Sequence, residues 1–231
     1  MFDLARLRRQ VIVSCQAPEG SPLRSPAIMA AVAEAAVAGG AAAIRANGAA
    51  DIRAIRNRSS IPIIGLLKRQ GPSGAIWITP TLHDAQSIAE AGADVIAVDA
   101  TLRHREFGSD APDLIAQIRR ELGMTVLADV DNLEAAQAAQ DAGADAVATT
   151  LAGYTTARSR TNGTAPDVHL VATVAAGVSI PVIAEGRYQS ARDVLDAFEA
   201  GAHAVVVGTA ITDPMELTRR IVVAVDPERS W

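Results

Sequence analysis

Cysteine, lysine, histidine and aromatic residues are all scarce in this chain, and each scarcity excludes something. A single cysteine, Cys15, rules out an internal disulfide and reads as a small buried residue in a reducing cytoplasm. No uninterrupted apolar stretch reaches the ~18 residues that suggest a membrane span. The opening MFDLARLRRQ lacks an apolar run long enough for a signal peptide. We therefore expect a cytoplasmic protein with no membrane partner. The formal net charge is −5 and the arginines are scattered, which argues against nucleic acid as a partner. Histidine is limited to four residues, His83, His104, His169 and His203. None sits at the C-terminal end of a predicted strand, and no spacing resembles a ligand set, so no metal site is expected. GxSxG elbows, P-loops and Rossmann fingerprints are missing too, and no cofactor site is visible.

Lysine is the sharpest deficit. Among 21 basic residues only Lys68, in IIGLLKRQ (63–70), is not arginine. Arginine stays protonated, whereas lysine can lose its proton when neighbours lower its pKa. A lone lysine therefore raises the question of what arginine could not do at this position.

What the chain has in abundance is a repeated phrase. AEAGADVIAVDA (89–100), QDAGADAVATTL (140–151) and EAGAHAVVVGTA (199–210) share one pattern, and AVAGGAAAIRANG (36–48) is a looser copy. Each reads as a helix end, a glycine at the C′ position, then an apolar strand without polar alternation. Strands are expected near 11–16, 42–47, 61–68, 94–100, 124–130, 145–151, 181–186 and 203–208. Helices follow them, opened by caps at Asp84, Asp110, Asn132 and Ser190. Pro62 and Pro181 stand at strand starts, where a missing N–H is tolerated. Eight βα units with no composition break predict an α/β fold, a single (β/α)8 TIM barrel spanning residues 1–231. A short N-terminal segment is expected to close its bottom.

In such barrels the active site lies at the C-terminal strand ends. Here those ends turn polar at Gln16, Arg45, Lys68, Asp99, Asp129, Thr149 and Glu185. The period of two places Lys68 on the face of Leu66 and Ile64, Arg45 with Ala43, Asp129 with Leu127, and Glu185 with Ile183. An ion-pair ring sealing the barrel would account for the carboxylates and arginine, but not for a lysine. EGR (185–187) and VGTA (207–210) suggest phosphate binding by Gly186, Arg187, Gly208 and Thr209, since glycine permits close backbone approach to an anion. Two segments read as mobile loops: 69–75, and 152–165, which is long enough to be a lid.

Taken in order, SCQAPEGSPLRSP (14–26), GAAAIRANG (40–48), GLLKR (65–69), DAT (99–101), TTLAGYT (149–155), IAEGR (183–187) and HAVVVGTAIT (203–212) resemble the bacterial N-acetylmannosamine-6-phosphate 2-epimerases. The resemblance covers essentially the whole chain. It implies interconversion of N-acetylmannosamine 6-phosphate and N-acetylglucosamine 6-phosphate in sialic acid catabolism, without a cofactor. It implies that Lys68 and Glu185 are catalytic, that Gln16, Arg45 and Asp129 hold the sugar, and that Arg187 with the two glycine loops takes the phosphate. Thr149 is grouped with the sugar-binding residues, and a homo-oligomer, a dimer, is expected. Gln70 stands where the family usually has aspartate, and LRHREFG (102–108) and ARSRTNGT (157–164) depart from its pattern. The residues alone leave three alternatives open: a Schiff-base, class I aldolase-like enzyme using Lys68, an isomerase of another phosphosugar, and a non-catalytic phosphosugar-binding regulator.

Overall fold

Apolar runs buried on both faces must be covered inside and out, and a closed parallel barrel ringed by helices does both. The computed structural model, which describes residues 1–155 and 165–226, has that architecture. Its barrel strands are β1 (Gln10–Cys15), β2 (Ala43–Asn47), β3 (Ile63–Leu66), β6 (Val95–Asp99), β7 (Thr125–Asp129), β8 (Ala146–Ala148), β9 (Val182–Glu185) and β10 (Ala204–Val207). They close in chain order, all parallel, with β10 pairing back onto β1. Between β3 and β6 a short antiparallel hairpin, β4 (Lys68–Gln70) with β5 (Ile76–Ile78), stands apart from the barrel sheet.

Helices α1 (Pro26–Ala38), α2 (Ala49–Arg56), α3 (Leu82–Glu90), α4 (Ala111–Gln117), α5 (Leu133–Asp141), α6 (Val168–Gly177) and α7 (Ala191–Glu199) follow successive strands. After β10 come α8 (Thr209–Thr212) and α9 (Pro214–Val225). The repeated glycines take the positive φ that the chain reversal needs: Gly40, Gly92, Gly143 and Gly201 lie between +93° and +103°. Asp110, Asn132 and Ser190 cap their helices. Asp84 does not. The cap of α3 is Thr81, which accepts from the Asp84 N–H, and Asp84 lies inside the first turn.

Alternation sorts the strands into two cores. Ile63, Ile96, Val98, Val126, Val205 and Val207 pack outward against the helices. Ile12, Ala43, Ile64, Leu66, Leu127, Ile183 and Val206 fill the barrel interior. Burying each Val, Leu or Ile is worth roughly 1.5–3 kcal/mol, so both layers are needed. Gly65 on β3 is set by packing: a Cβ there would lie 2.4 Å from Ile88 and 2.7 Å from Ala93. Its missing side chain is what lets the helix layer come down onto β3. At the N-terminal end of the barrel, Leu4 and Leu7 of a 3-10 turn join the interior core. Their segment is tied down by Arg9 N–H to the His203 carbonyl (2.6 Å) and by His203 Nε2 to the Leu4 carbonyl (2.9 Å). His203 is thus occupied at the end away from the strand C-termini. Cys15 is fully buried, and burial pushes its thiol up to about 12, where it is inert.

Candidate active site

Counting inward-facing positions along each strand explains the site. Just below the strand ends the inward residues are apolar (Ile12, Ala43, Ala97, Leu127, Ala148, Ile183); two residues further they are Ser14, Arg45, Asp99, Asp129, Thr150 and Glu185. Gln16 lies two further than Ser14. The change from apolar to polar happens within one step of two residues, on the same face of the same strands.

The centre of that layer is an ion-pair network. From β2, Arg45 Nη2 donates to Asp129 Oδ2 on β7, and Nη1 to Glu185 Oε2 on β9, both at 2.6 Å. Arg45 is 1% exposed, Asp129 0% and Glu185 13%, so only Glu185 reaches the solvent side. Thr150 Oγ1 donates to Asp129 Oδ1 at 2.5 Å and completes that carboxylate. Burial alone would lower the Arg45 pKa; Asp129 and Glu185 outweigh it, and the guanidinium is held above its ordinary value. Glu185 is moved up, by burial first and by Asp129 after it, against the pull of Arg45 and Lys68.

Lys68 does not belong to barrel strand β3. That strand ends at Leu66, and Lys68 opens the hairpin, its backbone N–H held at 2.8 Å by the side chain of Asn47 at the end of β2. The hairpin base is pinned by Thr79, whose Oγ1 accepts from Leu67 N–H (3.0 Å) while its own N–H reaches the Leu67 carbonyl (2.7 Å). Thr79 adopts φ +45°, a strained conformation for a β-branched residue, beside the residue it fixes. The Lys68 ammonium joins none of the ion pairs among the described residues. Its pKa is lowered, by desolvation first and by the Arg45 charge second, with Glu185 and Asp129 opposing. Lys68 is exposed to solvent in the cavity it lines, which tempers that desolvation.

Lys68 and Glu185 both open into one cavity of ≈ 610 Å³, within the ~300–1,000 Å³ usual for small-molecule sites. Gln16, Gly186, Arg187, Gly208 and Thr209 also line it, so catalytic and phosphate candidates share one space. Gln16 Nε2 donates to Ser14 Oγ at 2.9 Å, and its Oε1 is buried without a partner among the described residues. Arg187 is aimed by its surroundings: φ is +64°, Nε donates to the Ala165 carbonyl at 2.9 Å, and Cζ lies 5.7 Å from the Tyr154 ring centre.

Three expectations need correction. Thr149 does not line the cavity; its hydroxyl is committed to the backbone of Glu185, accepting from N–H and donating to C=O, both at 3.1 Å. Thr150 is the inward residue, and the parity that placed Glu185 would have found it. Arg45 and Asp129 lie beneath the cavity rather than in its lining, because each is sealed by the other. Residues 69–75 do not form a free loop. They build the hairpin and its tip, where Ser73 N–H donates to Glu106 Oε2 at 3.2 Å and the Ser73 hydroxyl bonds Oε1. Of the segment expected to be a lid (152–165), residues 156–164 lie outside the described residues. Sequence reasoning also missed Arg103 and Arg220, which line the cavity from a loop and from α9 and have no strand-end signal.

The family model described as "Putative N-acetylmannosamine-6-phosphate epimerase" matches residues 29–227. The chain belongs to this family. A relative from Caldanaerobacter subterraneus subsp. tengcongensis, named "Putative N-acetylmannosamine-6-phosphate 2-epimerase", is 44% identical over 230 residues, 99% of this chain and 96% of its own. One of the same name from Synechococcus elongatus is 50% identical over 213 residues, 91% of this chain and 90% of its own. Among solved structures, the N-acetylmannosamine-6-phosphate 2-epimerase from Clostridium perfringens superposes with a TM-score of 0.90 at 38% identity, covering 96% of this chain and 95% of that one. No helix among the described residues is long and apolar enough to cross a membrane.

Proposed function

We propose that the protein interconverts N-acetylmannosamine 6-phosphate and N-acetylglucosamine 6-phosphate, in sialic acid catabolism, by removing and returning the proton at C2. The observation that carries this reading is Lys68, an amine of lowered pKa that shares a cavity with Glu185 and lies outside the ion-pair network beside it. The C2 proton becomes acidic once the ring opens and C1 is an aldehyde. Neutral Lys68 takes that proton, and the electron pair of the C–H bond moves into a C1=C2 double bond, leaving an enolate oxygen on C1 and the acylamino group on C2. A proton then returns to C2 from the opposite face, and the carbonyl re-forms. No oxidant or reductant is consumed. Glu185, its carboxyl moved toward the protonated form by burial, supplies or relays a proton, and Arg45 holds it in place while keeping the Lys68 amine short of its own proton.

Phosphate at the Gly186 and Gly208 turns with Arg187 would anchor the far end of the sugar, and the buried Gln16 Oε1 is an acceptor for one of its hydroxyls. Among the described residues nothing in this scheme requires a second chain, and the expected dimer stays part of the proposal. The test is a coupled assay on N-acetylmannosamine 6-phosphate in D₂O. Deuterium should enter C2 of the product. Turnover with no solvent label at C2, under conditions of full proton exchange on the enzyme, would overturn the proton-transfer route.

A further inference from the structure

One arginine in the cavity has donors to spare. Arg103 Nη2 donates to Asp99 Oδ2 at 2.6 Å and to the Ile76 carbonyl at 2.7 Å. Its Cζ lies 3.8 Å from the ring centre of Trp77, a stacking contact. Asp99 is fully buried and Trp77 is 1% exposed, so both anchors are fixed. Nε and Nη1 donate to nothing among the described residues, and Nε is buried. A guanidinium held this firmly, lining a cavity with unused N–H groups, is preorganised for a ligand oxygen.

Its place in the fold says which oxygen. Arg103 follows β6, and β6 lies four places from β10 around the eight-stranded barrel, so its loop stands across the mouth from Gly208. Beside it the hairpin supplies an apolar wall of Ala75, Ile76 and Ile78. Ile78 is the cross-strand partner of Lys68, which puts that wall next to the base. Glu106, in the same loop as Arg103, ties the hairpin tip to this side through Ser73. If the phosphate lies at the Gly208 turn and C2 at Lys68, the substituent on C2 faces the hairpin. On an acylamino sugar that substituent is a carbonyl oxygen and a short alkyl group, the two things this wall can satisfy.

We propose that Arg103, Ile76 and Ile78 form the acylamino subsite, with Arg103 donating to the acyl carbonyl and the isoleucines covering the alkyl end. This makes Arg103 a specificity-determining residue positioned by Asp99 and Trp77, and it rests on the epimerase reading above. The experiment compares dissociation constants of N-acetylglucosamine 6-phosphate and glucose 6-phosphate, which differ only at C2. In the Arg103→Ala variant the preference for the acyl sugar should fall roughly ten- to hundredfold, the span of a lost charge-assisted hydrogen bond, with glucose 6-phosphate binding within about twofold of wild type. Equal losses on both sugars, or none, would overturn the assignment. Ile76 is half exposed at the hairpin edge, so Ile76→Ala should fold normally. It should accept an N-butanoyl sugar phosphate better relative to the N-acetyl one; an unchanged ratio counts against the wall. Because binding is read without turnover, a wild type that prefers the acyl sugar yet fails to epimerise it would sink the reaction and leave the subsite standing.

Discussion

The barrel interior contains two adjacent layers built from the same strands, and they obey opposite rules. In the lower one Ala43, Leu127 and Ile183 pack side by side with no polar atom to satisfy. Two residues further along those strands, Arg45, Asp129 and Glu185 form a network whose desolvation cost is offset only by mutual attraction and by Thr150. The lower layer holds the strands in register; the upper one shifts two titratable groups from their ordinary pKa values, Lys68 downward and Glu185 upward. Stability alone does not favour a polar upper layer, since apolar replacements of buried ion pairs are often neutral or stabilising. Its retention is better explained by what it does to Lys68 and Glu185.

The largest effect should come from Lys68, the residue beside the network that it acts upon. Lys68→Arg keeps the charge but cannot give a neutral base, and kcat should fall by at least about 10³-fold, in the upper range for losing an acid–base group. A variant retaining a tenth of wild-type kcat would remove Lys68 from that role. The wild-type pH profile carries a sign that can be checked. A base must be neutral, so activity should rise with pH along a limb centred below the ordinary lysine value of 10.5. Glu185 raises the Lys68 pKa, so in Glu185→Gln the residual activity should rise along a limb moved to lower pH. Movement to higher pH would show that Glu185 is not the charge Lys68 feels.

The next effect is on stability. Arg45→Met leaves two buried carboxylates sharing no cation, and should cost about 3–5 kcal/mol in urea unfolding. Replacing Arg45, Asp129 and Glu185 together with apolar residues of similar volume converts the upper layer into a copy of the lower. That triple variant should recover most of the lost stability and none of the activity. If it stays as unstable as Arg45→Met, the network is needed to hold the fold, and the contrast between the layers fails.

These layers were legible in the sequence to different degrees. Strand number, order and facing followed from apolar runs and glycine phrases, because parallel strands buried on both faces leave little freedom in register. That Lys68, Glu185 and the glycine turns lie at one end of the barrel around a single cavity was legible for the same reason. Lys68 was nevertheless placed at the end of a barrel strand, since nothing local marks Leu67 as the point where the chain leaves the sheet; Thr79, twelve residues on, pins that break. Thr149 was taken over Thr150 where the strand was expected to run on to 151, while in the structure β8 stops at Ala148. Arg103 could not be singled out from a chain with twenty arginines, because its fixed position depends on Trp77 and Asp99 meeting in space.

At the phosphate side the expected effect is smaller. Arg187→Ala should weaken binding of 6-phosphosugars roughly ten- to hundredfold, the span of ~1.5–3 kcal/mol for a charged hydrogen bond, with kcat at saturation little changed. Binding of the unphosphorylated sugar should be unaffected. Equal losses on both would mean that Arg187 does not read the phosphate.

The smallest effect tests the lower layer on the strand that carries Glu185. Ile183 is fully buried, faces the same interior and lies two residues below the carboxylate. Ile183→Val removes one methylene-sized volume from a packed core, and such changes cost about 0.5–1.5 kcal/mol. If the lower layer only holds the strands in register, that loss should show in urea unfolding while kcat stays within about twofold. The reason is geometric: Glu185 is located by polar bonds, from Arg45 to its carboxylate and from Thr149 to its backbone, and Ile183→Val removes none of them. A tenfold fall in kcat accompanied by so small a change in stability would show that packing below the network positions the carboxylate, and the two layers would have to be treated as one.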